Sequence, residues 1–410
     1  MRRRAFIQLC GATALGAMIP GFDLSAAEGD TTPAPRPDGF AWKKTVVLLE
    51  LRGGNDGLNT VIPYADRAYR RLRPKLAIPA DQVLKLDAQL GFHPALKALM
   101  PAWKDGDCAA VLGLGYEHPN RSHFRGIDIW NTGSKSEELL GDGWLARVLR
   151  ASLPGAPADR LADGIVLGFD KTMAYGGFGP LLGDGLRTII MNAPQDYIQR
   201  ARAMGAQPGT AANPALGRIL DVEHTIADSA EAMQGLIDHA PPLKTVFPKS
   251  SLGSGLETVA RLIAAGAVVP VFKLAIDGFD THADQLGRHA ALLTDVGDSL
   301  AAFRAALQAT GSWDRCVVAT YSEFGRRAAE NGSNGTDHGA AGSAFVLGSQ
   351  ASGRMVGEFP GLEKLDDDDN LLATSDFRGL YSAIVEDWLG ADADALIPDA
   401  RRFARPKILR

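Results

Sequence analysis

The sequence predicts an α/β fold, a three-layer sandwich in which a mainly parallel central sheet lies between two layers of helices. Short, almost entirely apolar runs recur along the chain, as is typical of parallel strands buried on both faces. Amphipathic segments separate these runs, and strands that alternate with helices favour a parallel sheet. The chain has 410 residues, of which 46% are hydrophobic, which is enough for one large domain.

The individual elements follow from the same two patterns. Strands are predicted at 45–51, 109–115, 164–169, 187–191, 268–276, 316–321 and 344–348. Helices are predicted at 94–104, 141–152, 214–240, 254–266, 283–310 and 375–389. Residues 170–250 have weaker strand signals, and we expect a helical insertion or cap there. We therefore expect a single α/β domain over residues 43–410.

The N-terminal segment has the pattern of a bacterial export signal. A basic start precedes an apolar stretch at 5–19, and Arg3 and Arg4 resemble the pattern that the twin-arginine translocase reads during export. We expect residues 1–27 to be a signal peptide, residues 28–42 to be a Pro-rich linker, and the mature protein to be periplasmic or extracellular. The apolar stretch is too short for stable membrane insertion.

Charge and cysteine content exclude some classes of protein. The net charge of −5 is mild and indicates no nucleic-acid partner. Cys108 and Cys316 lie beside apolar runs, so we expect both to be buried thiols without a disulfide. The acidic run at 365–370 is interpreted as a solvated loop.

Polar residues cluster where the predicted strands end. The segments "RGGNDGLN", "YEHPNRSHFRG", "DGFDTHAD" and "SEFGRR" each follow a strand, and "NGTDHGAAGS" precedes the last one. In open α/β sheets, ligands bind outside the carboxyl ends of the strands. The first segment contains Asn55 and Asp56, which offer oxygen ligands if the segment is more than a tight turn.

Four further side chains at these strand ends predict a metal site. Asp280 and His282 lie two residues apart, Glu323 directly follows a strand, and His338 lies in a Gly-rich turn. Oxygen and imidazole donors are the ligands of divalent metals, with Zn²⁺ expected first and Mn²⁺ or Ca²⁺ also compatible.

Three of these four residues also have a purely structural interpretation. Asp280 can cap the following helix. Glu323 can pair with Arg326 or Arg327, because burying an unpaired carboxylate is costly. His338 alone would be an ordinary surface residue.

Ser122 is the candidate nucleophile. It is expected at the start of a helix, where free amides and the helix dipole favour an anion such as a phosphoryl group. His123, Arg121 and Arg125 add proton-transfer and anion-binding capacity. The alternative is that Asn120 or Ser122 serves only as a helix N-cap.

Several motifs together resemble the bacterial domain-of-unknown-function 1501 (DUF1501) family. They include "LRGGNDGLNTVIP", "NRSHFRGIDIWNTG", "FDTHADQ" and "SEFGRRAAENGSNGTDHG", and the resemblance runs from about Val46 to Leu389. That family is typically exported by the twin-arginine route and is grouped with the alkaline-phosphatase-like superfamily of phosphatases, sulfatases and phosphoglycerate mutases. The resemblance implies an alkaline-phosphatase-like fold with a helical insertion. It also implies the nucleophile position at Ser122 and successive metal-ligand positions at Asp280 with His282, Glu323 and His338.

The sequence departs from the superfamily pattern in two places. Arg52 stands where an acid is expected after the first strand, unless Asn55 or Asp56 replaces it. The expected Asp-His pair reads Glu323-Phe324, so one imidazole is missing, and a single metal is easier to build than two. The chain also lacks a Cys-x-Pro-x-Arg stretch, which argues against a formylglycine sulfatase.

The leading hypothesis is an exported metal-dependent hydrolase of phosphate or sulfate esters, with a small-molecule or polysaccharide ester as substrate. The metal would lower the pKa of Ser122, and Arg121 or Arg125 would offset negative charge in the transition state. One alternative is a non-catalytic relative that binds a sugar, an anion or a protein partner. Another is a metal-free serine hydrolase, although no G-x-S-x-G elbow surrounds Ser122. His289 is expected to face solvent or the core.

Overall fold

The computed structural model describes residues 39–168, 178–204 and 213–410. The predicted signal peptide at 1–27 lies outside these residues, as do most of the predicted linker at 28–42 and parts of the 170–250 region. In the part of the chain that the structure describes, no helix is long and apolar enough to cross a membrane.

The strands form one large sheet and one small sheet. In chain order they are β1 Thr45–Leu51, β2 Val61–Ile62, β3 Leu84–Lys85, β4 Gly91–Phe92, β5 Cys108–Gly115, β6 Gly164–Leu167, β7 Thr188–Met191, β8 Val271–Ile276, β9 Cys316–Tyr321, β10 Gly342–Leu347, β11 Met355–Val356 and β12 Ser375–Asp376. The large sheet has the order β11-β5-β10-β9-β1-β8-β6-β7, and β12 also pairs with β5. Every pairing in the large sheet is parallel except those of β10, which runs antiparallel to β5 and β9. The small sheet, of order β2-β4-β3, is antiparallel.

The α-helices cover this sheet. They are α1 Arg67–Leu72, α2 Met100–Lys104, α3 His123–Thr132, α4 Trp144–Ser152, α5 Pro194–Met204, α6 Pro214–Asp238, α7 Ser251–Ala264, α8 Gln285–Ala309, α9 Phe377–Ala383 and α10 Ala393–Leu396. A 3₁₀ helix at Pro94–Leu99 leads into α2, and a π-helix at Ile384–Trp388 continues α9. The predicted helices at 94–104 and 375–389 are therefore each split between two helix types.

Alternate residues of β1 face two separate hydrophobic cores, which confirms the three-layer α/β prediction. Val47 and Leu49 pack with the core that includes α7 and α8. Val46 and Leu48 pack with the core that includes α4 and α9. Because both faces are covered, the strand needs no polar alternation, as its sequence indicated.

Two predicted strands are shortened for local reasons. The run 268–276 becomes a strand only from Val271, because Pro270 has no backbone N–H to donate to a ladder. The run 164–169 ends at Leu167, because Gly168 takes a left-handed conformation with φ of 77°. Phe169 lies outside the described residues.

Cys108 and Cys316 are buried and free, as predicted. They lie on β5 and β9, which are separated by β10. Strands two apart are about 10 Å from each other, which is too far for a disulfide.

The loops at the carboxyl edge of the sheet pack very closely on one another. Gly53, which follows β1, has φ of 112°, and a Cβ atom there would lie 2.2 Å from the backbone nitrogen of Asp280. A Cβ atom on Gly335 would lie 2.3 Å from the carbonyl carbon of His282. Only glycine allows the backbones to lie this close together. The loop after β1, the loop that carries Asp280 and His282, and the loop that carries Gly335 therefore form one rigid platform for their polar residues.

Candidate metal centre

Asp280 lies at the centre of the polar cluster on this platform. Its Oδ1 atom is 3.0 Å from Nε2 of His282 and 3.1 Å from Nε2 of His338. Its Oδ2 atom is 3.5 Å from Nε2 of His123. The loops after β5, β8 and β9 thus bring together three imidazoles and one carboxylate. The strand-end pattern predicted this meeting for Asp280, His282 and His338.

The other ring nitrogen of His338 and of His282 faces an oxygen. Nδ1 of His338 is 2.9 Å from the backbone carbonyl of Arg121, which only accepts hydrogen bonds, so Nδ1 carries the proton. Nδ1 of His282 is 3.2 Å from Oδ1 of Asp337. The two Nε2 atoms therefore present lone pairs, yet they lie only 2.9 Å apart. Facing lone pairs repel unless a cation lies between them.

In His123, too, one ring nitrogen is bonded to an oxygen and the other faces Asp280. Its Nδ1 atom is 2.8 Å from Oε1 of the buried Glu323, which leaves Nε2 free to face Asp280. A carboxylate or carbonyl that fixes the protonated nitrogen of a histidine, so that the other nitrogen binds a metal, is the usual arrangement behind histidine ligands. His123, predicted as a catalytic residue, thus lies in the place of a metal ligand.

The spacing of these atoms fits a transition-metal ion. A tetrahedral site with metal–ligand distances of about 2.0–2.1 Å has edges of about 3.3–3.4 Å. The triangle of His282 Nε2, His338 Nε2 and Asp280 Oδ1 has edges of 2.9, 3.0 and 3.1 Å, slightly smaller than that. Ligand atoms of His123, Asp280 and His338 also lie within 4.8 Å of one another. These residues form a group able to hold a metal.

The electrostatic environment favours the ligand forms of two of these residues. Burial opposes the ionisation of Asp280, but the hydrogen bond and the positive charge of Arg326 outweigh it and hold the pKa of the carboxyl at about 2. Burial lowers the pKa of His338, although Asp280 opposes this, so the neutral ring is favoured. The hydrogen bond to Glu323 raises the pKa of His123 against the effect of burial. A metal at Nε2 of His123 would have to displace any proton held there.

Arg326 ties the platform together and was not assigned to the site from the sequence. It is fully buried, and its guanidinium donates to Asp280 Oδ1 at 2.6 Å. It also donates to four backbone carbonyls, those of Gly53, Gly54, Phe279 and Thr336. The guanidinium therefore holds the loops after β1 and β8 against the segment that precedes His338, and it positions the central carboxylate.

Glu323 lies behind His123. Its Oε1 atom accepts from the backbone N–H of Gly53 at 2.8 Å as well as from His123, and Ser322 Oγ is 3.2 Å from Oε2. The structural interpretation that paired Glu323 with Arg326 or Arg327 is wrong, because Arg326 pairs with Asp280 instead. Its predicted role as a metal ligand stays a prediction, and its contacts are those of a residue that orients His123.

The other residues predicted to be catalytic, Ser122, Arg121 and Arg125, differ in their contacts. Ser122 is the exposed N-cap residue of α3, and its side chain makes no capping hydrogen bond. Arg121 forms a 2.8 Å ion pair with Asp368. The guanidinium of Arg125 is bonded to Asp128 and to backbone carbonyls of residues 135–138. Arg125 therefore ties α3 to that loop and is not brought to the cluster.

Asn55 and Asp56 belong to a second, buried polar cluster. Asp56 Oδ2 is 2.6 Å from Nη1 of the buried Arg73, and Asn55 Oδ1 is 3.0 Å from Nε2 of His289. His289 thus lies in the core, one of its two predicted environments. The guanidinium of Arg73 already offsets the charge of Asp56. The roles of Asn55 and Asp56 as metal ligands stay predictions.

The stability of the fold is expected to fall below pH 6.5 because of His289. Burial lowers the pKa of His289 to about 4, against the opposing charge of Asp56. The unfolded chain binds the proton from about pH 6.5, so stability is lost as pH falls from about 6.5 to about 4. The contribution is about 3 kcal/mol. Urea unfolding at pH 7 and pH 4.5 checks this: His289→Gln should lose less stability than wild type over that interval, and an equal loss contradicts it.

Part of the chain matches a known protein family. Residues 185–379 match the family model described as "Protein of unknown function (DUF1501)". The DUF1501 resemblance is confirmed over this part of the chain. The DUF1501 region contains Asp280, His282, Glu323 and His338, whereas His123 lies before it. No curated protein matches the sequence.

Solved structures show a distant likeness. A protein in the alkaline phosphatase superfamily from Vibrio parahaemolyticus is 11% identical, with 98% of this chain and 79% of that chain covered and a TM-score of 0.42. The lipoteichoic acid synthase LtaP from Listeria monocytogenes is 11% identical, with 77% and 68% covered and a TM-score of 0.34. The phosphonate monoester hydrolase SpPMH from Silicibacter pomeroyi is 15% identical, with 88% and 75% covered and a TM-score of 0.36. With every TM-score below 0.5, no function passes from these proteins to this chain.

Proposed function

We propose that this chain is an exported metal-dependent hydrolase of phosphate or sulfate esters in which Ser122 is the nucleophile. One observation carries the proposal: the Nε2 atoms of His123, His282 and His338 converge on Asp280, while the opposite nitrogen of each ring is bonded to an oxygen. The Nε2 acceptors of the three rings, together with the Asp280 carboxylate, fit a divalent cation. The export step rests on the sequence of residues 1–27 alone.

His123, His282, His338 and Asp280 would hold the metal. Three imidazoles with one carboxylate favour Zn²⁺, with Mn²⁺ second, over Ca²⁺, which takes oxygen ligands. A metal bound there supplies Lewis-acid polarisation of the ester and a lower pKa for the attacking hydroxyl. Phe324 packs against the rings of His123 and His338 at centroid distances of 5.0 and 4.6 Å. It stands where the superfamily pattern has an imidazole, which favours one metal over two.

Two features of Ser122 support its role as the nucleophile. It directly precedes His123, and its hydroxyl is not used for capping. The free amides at the start of α3, a helix of 10 residues, stabilise the negative charge that develops on the transferred group. In-line attack by Ser122 Oγ would form a seryl ester and release the alcohol, and water would then release the phosphate or sulfate.

Turnover of esters by zinc-loaded protein tests the proposal. Phosphate monoesters, phosphate diesters, phosphonate esters and sulfate esters would be screened with wild type and Ser122→Ala. We expect Ser122→Ala to lose at least about a thousandfold in kcat while it retains zinc, as for other activated nucleophiles. Ser254→Ala, an exposed serine on α7, is the matched control and should keep full activity. Equal activity of Ser122→Ala and wild type would show that Ser122 is not the nucleophile.

A second candidate is a non-catalytic relative that binds an anion, a sugar or a protein partner through the same metal. The replacement of the expected Asp-His pair by Glu323-Phe324 favours it, because a phenyl ring offers no ligand to a second metal. Zinc binding without turnover of any ester class in the same screen would support this candidate over the hydrolase.

A further inference from the structure

Arg121 joins the metal centre to an acidic turn at its edge. Its backbone carbonyl accepts from His338 Nδ1 at 2.9 Å, and it directly precedes Ser122. Its guanidinium points away to Asp368, with 2.8 Å between Nη2 and Oδ2. Among the ion pairs of the described residues, Arg121 is the cation that pairs with the run Asp366–Asp369. One residue therefore contacts both the cluster and the turn.

The turn is built to present Asp368. Oδ1 of Asp366 accepts from the backbone N–H groups of Asp368 and Asn370, at 2.9 and 2.8 Å. The buried Asn370 adds side-chain bonds to the same carboxylate. Asp366 is thus occupied within the turn, whereas the Asp368 carboxylate is free to reach Arg121. The ion pair itself is exposed, with 31% of the Arg121 side chain and 59% of the Asp368 side chain accessible.

We propose that Asp368 is a specificity-determining residue that competes with the anionic group of the ligand for the guanidinium of Arg121. This inference rests on the proposed function and concerns the regulation of the same site. A phosphate or sulfate group can accept hydrogen bonds from the Arg121 guanidinium through two oxygens, as a carboxylate can. Exposed ion pairs are weak, so a ligand held by the metal centre can displace Asp368 and recruit Arg121. Ligands without an anionic group cannot displace Asp368 from Arg121, so the site binds them more weakly.

Binding of inorganic phosphate to the zinc-loaded protein tests this by calorimetry, without reliance on turnover. Asp368→Asn should bind phosphate about twofold to fivefold more tightly than wild type, the range expected when an exposed ion pair is removed. Asp367→Asn is the matched control, because it removes the same charge from the same turn and Asp367 is exposed. In an Arg121→Ala background, Asp368→Asn should have no further effect on phosphate affinity.

Three results would overturn the inference while leaving the hydrolase proposal intact. The first is unchanged phosphate affinity in Asp368→Asn. The second is an equal gain in phosphate affinity in Asp367→Asn, which would indicate that the negative charge of the whole acidic turn, and not Asp368 itself, weakens phosphate binding. The third is a gain that persists without Arg121. If the zinc-loaded wild type binds no phosphate, the inference fails, whereas the hydrolase proposal is decided by the turnover of esters.

Discussion

His338→Ala is expected to lower the affinity for zinc by roughly a hundredfold or more and to abolish ester turnover. Structural zinc sites bind with about 10–16 kcal/mol through four ligands, so each ligand contributes roughly 3 kcal/mol. His338 lies 2.9 Å from His282 and 3.1 Å from Asp280 through the same Nε2 atom, so its removal opens the centre of the cluster. Competition with a chelator of known zinc affinity measures the change.

The control for this variant is His239→Ala. His239 is an exposed residue at the end of α6, where its ring bonds to the carbonyl of Gly235. It should leave both zinc affinity and turnover at wild-type values. A folded His338→Ala protein that binds zinc as tightly as wild type would show that His338 is not a ligand.

Arg326→Met is expected to destabilise the protein by at least about 3 kcal/mol, because each buried acceptor left without its donor costs about 1–3 kcal/mol. The variant keeps the length and apolar stem of the side chain but leaves Asp280 and four carbonyls without their donor. The loop that carries Asp280 should also loosen, so zinc affinity falls together with stability. Urea unfolding of the metal-free protein separates the two effects.

Arg261→Met provides the matched comparison. Arg261 pairs with Glu257 on the surface of α7, and both side chains are more than a third exposed. Its loss should cost less than about 1 kcal/mol, as for other exposed ion pairs. If Arg326→Met also costs less than 1 kcal/mol, the guanidinium does not hold the platform together.

Much of the sheet was predictable because its strands are buried on both faces. The strands at 45–51 and 316–321 were predicted to the residue, since apolar runs there end at polar residues on both sides. The antiparallel direction of β10 was not predicted, because an apolar run does not indicate which way a strand points. The division of the chain into domains stays a prediction, including the cap at 170–250.

The candidate metal centre was predictable only in part, because its supporting contacts join distant segments. Asp280, His282 and His338 were found since each lies at a strand end or in a Gly-rich turn. The contact of His123 with Glu323 spans 200 residues, and that of Arg326 with Asp280 spans 46. No local pattern reports such contacts.

We propose that three imidazoles and one carboxylate bind a single divalent metal. X-ray absorption spectroscopy at the zinc edge, on zinc-loaded wild-type protein, measures this directly. We expect one zinc per chain with nitrogen and oxygen ligands at about 2.0–2.1 Å and the multiple-scattering signature of imidazole rings. Folded protein that retains no zinc, or zinc without imidazole scattering, would contradict the claim.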